Sequence, residues 1–358
     1  MGKLSELGRG FNVGGWLSQS DLSERHMRSF ISADDFRQMA DWGFENVRIP
    51  FDYELIKDPD NPGSCREDGL AWLDTALGWA EQAGLKAVLD MHKAPGFVFT
   101  MMTKEFDGPI PLISDASVRR RWLELWRRIT ERYRGRFGRA AFELLNEITA
   151  PDPADWNDLA AAAFRAIRDA DADRTVVIGT NMWNSAAGFP DLEPVEDDNV
   201  IYTFHFYDPI AFTHQRARWM PEMVYYGRTV PYPGRPPELR ETADRAAAEG
   251  NHFVARRLGK LADLYGDRGH DRDMLREFLA PALEFRDAND AEIYCGEFGV
   301  VHLAPDEDRL RWFRDTLELF DAEGIGWSVW AYKGMGFGVV ANDGTRHEQM
   351  LAILRGRA

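Results

Sequence analysis

The 358-residue chain carries 43 Lys and Arg against 59 Asp and Glu, a formal net charge of -16. That balance argues against nucleic acid, whose binding rests on phosphate neutralisation, and against an anionic membrane surface or a polyanionic substrate; a neutral partner suits it best. Hydrophobic residues at 44% and charged residues at 28% are ordinary for a large folded core, while aromatics reach 12%, several Trp and Tyr falling in loop-like stretches where sugar rings find stacking partners.

In chain order, short apolar runs predict strands at 10–16, 46–50, 86–91, 141–146, 175–180, 200–206, 293–297 and 326–331. Amphipathic helical patterns lie near 33–42, 69–82, 115–134, 153–170 and 306–322. Gly43, Gly84, Gly135 and Gly324 each stand just past such a pattern, where a left-handed cap favours glycine. Eight strands separated by helices predict a parallel (β/α)8 TIM barrel, a size that such barrels reach as one domain spanning 1–358. A doubly wound open sheet is the alternative, but it needs a phosphate loop. The glycine-rich stretch 334–338 is too weak and too late in the chain to supply one.

The spacing fails once. Over eighty residues separate the sixth and seventh strands, from Asp208 to Asp290, so an insertion at about 208–290 is expected to form a lid or wall. Its first third carries Phe212, His214, Gln215, Trp219, Tyr225, Tyr226 and Tyr232, which either wall off the cleft or pack the inserted helices onto the barrel. Cys65 and Cys295 have no metal-type spacing, and Cys295 sits in an apolar run that suits a buried free thiol. No metal or cofactor is expected, and no feature marks an obligate protein partner. The N-terminus lacks an apolar signal core, and no 18-residue apolar run occurs. The chain as given therefore reads as cytoplasmic, or as secreted if a leader has been removed, with no membrane span.

In a barrel the reactive side chains stand where strands end. Here these are Arg48 after the second strand, His92 after the third, Asn146 and Glu147 after the fourth, and His205 and Tyr207 after the sixth. Glu297 closes the seventh and Trp330 the eighth. Each alone has a plain structural explanation: Arg48 or His92 could satisfy a buried group, Glu147 could be a helix N-terminal charge, and Trp330 could be core. Their joint placement decides. Glutamates on strands four and seven face each other across the mouth, and glycoside hydrolysis needs such a pair. Asn146 then suits a sugar hydroxyl near the reacting carbon, such as the 2-OH. Tyr207 and Arg48 can hold Glu297 ionised by donating to it, Glu147 must be kept protonated by its surroundings, and Trp330 offers a flat face to a sugar ring. Trp16 and Trp183 suit cleft lining or packing equally. Lys93 reads as a solvated loop charge, and Asp90 as a partner of Arg48 or His92.

These residues sit in Asn-Val-Arg48-Ile-Pro, Leu-Asp-Met-His92-Lys-Ala-Pro-Gly and Leu-Leu-Asn-Glu147. Further on come Phe-His205-Phe-Tyr207, Gly-Glu297-Phe-Gly and Trp-Ser-Val-Trp330, and the chain opens on Gly-Phe-Asn-Val-Gly-Gly-Trp. Together they resemble glycoside hydrolase family 5, the cellulase-like family of clan A, from Gly10 to about Val340. The resemblance implies a retaining enzyme with Glu147 as acid/base and Glu297 as nucleophile. It also implies substrate or nucleophile contacts for Arg48, His92, Asn146, His205, Tyr207 and Trp330. The segment Ala-Tyr-Lys333-Gly-Met-Gly and the long connection depart from the commonest cellulases, both on the substrate side. A β-glucan or its oligosaccharides is the first expectation, with β-mannan or another β-glycoconjugate next. The rival classes are a metal-dependent barrel enzyme, for which Asp90-Met-His92 is the one near match, and a non-catalytic carbohydrate-binding barrel, which usually lacks one of the carboxylates.

Overall fold

A computed structural model describes residues 6–61, 64–100, 108–266 and 268–356; residues 1–5, part of the stretch read for a leader, lie outside these. Eight parallel strands close into a barrel in sequential order, β1 (Arg9–Asn12), β2 (Asn46–Asp52), β3 (Lys86–Lys93), β4 (Ala140–Glu143), β5 (Val176–Gly179), β6 (Val200–Phe206), β7 (Glu292–Phe298) and β8 (Gly326–Val329). Closure comes from Arg9 pairing with Trp327, Gly10 with Ser328 and Phe11 with Val329. β2 and β6 are buried along their whole length, as parallel strands covered on both faces must be.

Helices cover the outside, and several are started by a side chain that satisfies orphan amides. Asp115 accepts from the amides of Ser117 and Val118 at the head of Ala116–Tyr133, and Asp152 caps Pro153–Ala170 by accepting from Ala154. The four glycines expected as helix stops all have positive φ, from 68° at Gly324 to 91° at Gly43. Between β6 and β7 the chain forms helices Ile210–Thr213, Pro221–Tyr226, Leu239–Ala248, His252–Tyr265 and Arg272–Asn289. No described helix is long and apolar enough to cross a membrane. Cys295 is a buried free thiol, and Cys65 is also free.

Several strands end before their apolar runs do. β1 stops at Asn12 rather than continuing to 16, β4 at Glu143 rather than 146, and β8 at Val329 rather than 331. At the mouth the chain diverges from its neighbours and keeps single bonds instead of a ladder, such as the amide of Asn146 to the carbonyl of Met91. Trp16 leaves the barrel altogether. It is fully buried, stacks on Trp79 at 5.6 Å between centroids, and donates its indole N–H to the Met27 carbonyl at 2.9 Å. Packing, not cleft lining, is its place.

The barrel interior is apolar at its foot, where Leu7, Val88, Ala141, Val177, Ile201 and Tyr294 form their own cluster. Charge is concentrated inside as well: Arg48, Asp90 and Glu143 are all fully buried. Such charges are stable there only if each is paired, and that pairing builds the site.

Candidate active site

Arg48 is the hub. Its Nη1 donates to Glu297 Oε1 at 2.6 Å and to Asn12 Oδ1 at 3.0 Å. Nε and Nη2 donate to both carboxylate oxygens of Glu143, at 2.7 and 2.8 Å. Nη2 also reaches Asn146 Oδ1 at 3.0 Å and lies 3.0 Å from Asp90 Oδ2. Burial opposes the positive charge, but Asp90, Glu143 and Glu297 outweigh it and hold the guanidinium firmly protonated.

Glu297 therefore receives two donors, Arg48 on one oxygen and the Tyr207 hydroxyl, at 2.9 Å, on the other. Burial lifts Glu297 above the ordinary carboxylate range, while Arg48, His92 and the Tyr207 hydrogen bond pull it back. Glu147 has no such cation against it. Its Oε1 shares a hydrogen bond with His205 Nδ1 at 2.8 Å, and burial followed by the nearby Glu297 charge pushes it well above the usual range. His205 itself is kept neutral by burial and by Arg48. The two carboxyl groups are thus driven apart in proton affinity, the arrangement that separates an acid from a nucleophile. Their exposures differ in the same sense, 14% for the Glu147 side chain against 5% for Glu297. Glu147 stands where water and a departing group have access.

One oxygen of each carboxylate and one His205 nitrogen lie within 4.8 Å of one another, a span that a metal ion could also bridge. Here, however, both Glu297 oxygens already accept from Arg48 and Tyr207. A second cation would sit beside the Arg48 guanidinium.

His92 stands across the pocket. Its Nδ1 meets Asp90 Oδ2 at 2.8 Å, its ring stacks flat on Trp330 at 5.6 Å, and its Nε2 has no protein partner. Burial brings His92 down to about 4, so it offers a neutral ring. Asp90 thus serves Arg48 and His92 together. Lys93 is not a free loop charge: it is paired with Glu54.

Trp330 is buried, and its ring lies so close to Gly14 that no side chain fits there. Trp183 sits partly buried just past β5, in a run with Met182 and Asn184 that keeps φ between 55° and 59°. Its amide donates to the carbonyl of Ile148, next to Glu147, while Asn181 ties both polar groups of the Ala150 backbone. The loop after β5 is therefore fastened beside Glu147.

The loop aromatics after β6 divide. Phe212, Tyr226 and Tyr232 are buried among the helices, and buried Gln215 bonds the backbone of Phe212 and Val230. Only His214 and Trp219 stand at the site. Trp219, 44% exposed, packs against His214 and Phe337 at 6.0 and 5.9 Å, and both those rings touch Tyr207.

Sequence reasoning missed Glu143, Asn12, Gly14 and Gly296. A glutamate inside the apolar run Ala-Ala-Phe-Glu143-Leu-Leu was a signal, since a charge there demands a buried partner. Gly296 is the extra residue of an irregularity in β7 that brings Glu297 opposite His205; a Cβ there would lie 2.8 Å from Thr203 Oγ1 and 3.4 Å from His205 Nε2.

A family model described as cellulase (glycosyl hydrolase family 5) matches residues 8–336. Endoglucanase C of Acetivibrio thermocellus is 38% identical over 335 residues, 93% of each chain. Cellodextrinase A of Ruminococcus flavefaciens is 31% identical over 320 residues, covering 88% of this chain and 83% of that one. Among solved structures, endoglucanase Cel5A from Thermotoga maritima superposes with a TM-score of 0.74 at 25% identity, covering 97% of both chains.

Proposed function

Since the chain belongs to glycosyl hydrolase family 5, we propose that it hydrolyses β-linked glucan or gluco-oligosaccharides with retention, Glu297 as nucleophile and Glu147 as acid/base. The observation that carries this reading is the carboxyl pair. Oxygens within 4.8 Å suit direct attack, with separations of about 5–5.5 Å typical of retaining enzymes and about 6.5 Å or more needed to admit a water between them.

In the first step Glu297 attacks the anomeric carbon while Glu147 gives its proton to the glycosidic oxygen. The C–O bond breaks, the leaving sugar departs as an alcohol, and a glycosyl ester remains on Glu297. Glu147, now ionised, takes a proton from water as that water attacks the same carbon, and Glu297 is released as a carboxylate. Asn146 turns its oxygen to Arg48, so its amide N–H groups are left to donate to a sugar hydroxyl beside the reacting carbon. His92 Nε2 accepts from another hydroxyl, and the face of Trp330 carries the ring.

Glucan is supported as substrate by the relatives named endoglucanase C and cellodextrinase A. β-Mannan is the second reading, because one structure of Thermotoga maritima Cel5A is titled as a complex with mannotriose. The segment 208–290 is read as an insertion within a single barrel domain, its exposed Trp219 walling one end of the cleft and favouring short chains. Trp183 is read as lining the opposite, leaving-group side. Product analysis on cello- and manno-oligosaccharides tests the substrate. Release of reducing sugar from neither series would overturn the proposal.

A further inference from the structure

Glu143 has no role in the chemistry described so far, yet it makes the most exacting contact in the site. It is fully buried and grips Arg48 through two parallel hydrogen bonds, 2.7 Å to Nε and 2.8 Å to Nη2. The remaining Arg48 contacts point in the useful directions: Nη1 to the Glu297 carboxylate, Nη2 to the Asn146 amide. Every N–H of the guanidinium is thereby engaged, and its plane is set by the bidentate pair, whose geometry leaves little rotational freedom.

Resting on the hydrolase reading above, we infer that Glu143 is a positioning residue of the reaction: by clamping Arg48 it fixes the placement of the nucleophile Glu297 and of the Asn146 amide together. Arg48 is otherwise a long side chain shared among Asp90, Asn12, Asn146 and Glu297, and these could be satisfied with the guanidinium turned or shifted. Glu143 selects one setting. The titratable groups that face Glu143 are Arg48 from β2, Asp90 and His92 from β3, Glu147 beyond β4, and Tyr294 from β7. Burial lifts Glu143 to about 7, against which Arg48 is the chief counterweight.

Two variants loosen the clamp on Arg48 in different ways. Glu143→Gln keeps the shape but removes the charge and turns one acceptor into an N–H facing an N–H. Glu143→Asp keeps the charge but is one methylene too short to grip both Nε and Nη2. Each is compared with the parent chain on an aryl β-cellobioside, with active sites counted from the burst of aryl alcohol and folding followed by near-UV circular dichroism. Both should lower kcat per active site about 10- to 100-fold, the scale of a misplacement near 1 Å, with KM changed less than kcat. Parental kcat per active site in either variant overturns the inference and leaves Glu143 a stability residue. If Glu143→Gln does not fold, the kcat of Glu143→Asp decides. A parent chain that releases no product from the cellobioside or from oligosaccharides contradicts the hydrolase reading instead, so the two failures are told apart.

Discussion

Replacing Tyr207 by Phe removes one oxygen atom and tests how the nucleophile is kept ionised. The Tyr207 hydroxyl donates to Glu297 Oε2 at 2.9 Å, and burial together with the Glu297 charge keeps the phenol neutral far above its usual range, so it donates at every working pH. A hydrogen bond to a buried charged group contributes about 1.5–3 kcal/mol, and a pH unit corresponds to about 1.4 kcal/mol. With the Glu297 side chain only 5% exposed, solvent screens little of this. Burial already raises Glu297, and deleting a contribution that lowers it makes the carboxylate protonate at still higher pH. Only the ionised form attacks, so activity is lost as pH falls through that value. The acidic limb of kcat/KM on an aryl β-cellobioside should therefore move up by about one to two pH units. The ring contacts with His214 and Phe337 survive in Phe, so folding should be little affected. A limb that stays at the parental pH, or moves down, would refute the assignment of Tyr207 to Glu297.

The other substitutions probe separate parts of the site. Glu297→Gln should abolish turnover of every substrate, whereas Glu147→Gln should spare an activated aryl leaving group that needs no proton, and azide should partly rescue Glu147→Ala; equal losses on poor and activated leaving groups would overturn the two roles. Trp219→Ala should raise KM on oligosaccharides several-fold (about 1 kcal/mol of stacking) with a nearly unchanged melting temperature, because 44% of the residue is already in water; an unchanged KM would mean that Trp219 does not meet substrate. Gly296→Ala drives a methyl group towards Thr203 Oγ1 and His205 Nε2, so it should loosen the His205 contact with Glu147 and cost about 10-fold or more in kcat; a kcat equal to the parent's would show that the neighbours yield without cost.

The barrel and the facing carboxylates were legible because parallel strands buried on both faces are near-continuous apolar runs, and polar residues interrupt them mostly towards one end. Arg48, His92, Glu147, His205, Tyr207, Glu297 and Trp330 all announce themselves in this way. Glu143 and Asn12 did not: each ends its strand but lies inside the longer apolar run of the sequence, and a buried polar residue there declares a partner without saying which. Gly14 and Gly296 act through space alone: one leaves room for the Trp330 ring, the other for Thr203 and His205. Neither periodicity nor spacing reports such close approaches. The loop aromatics could not be sorted from the sequence for a related reason. Phe212, Tyr226 and Tyr232 pack helices that the sequence does not place in space, and Trp219 is distinguished from them only by its exposure.

The stereochemistry of the first product tests the two-step mechanism most directly. Proton NMR during the first minutes of β-cellobioside hydrolysis, before the free sugar mutarotates, distinguishes the anomers. Attack by Glu297 followed by attack of water inverts the carbon twice, so the β-anomer should appear first and the α-anomer only later. Initial release of the α-anomer would mean a single displacement by water, and would contradict Glu297 as a nucleophile.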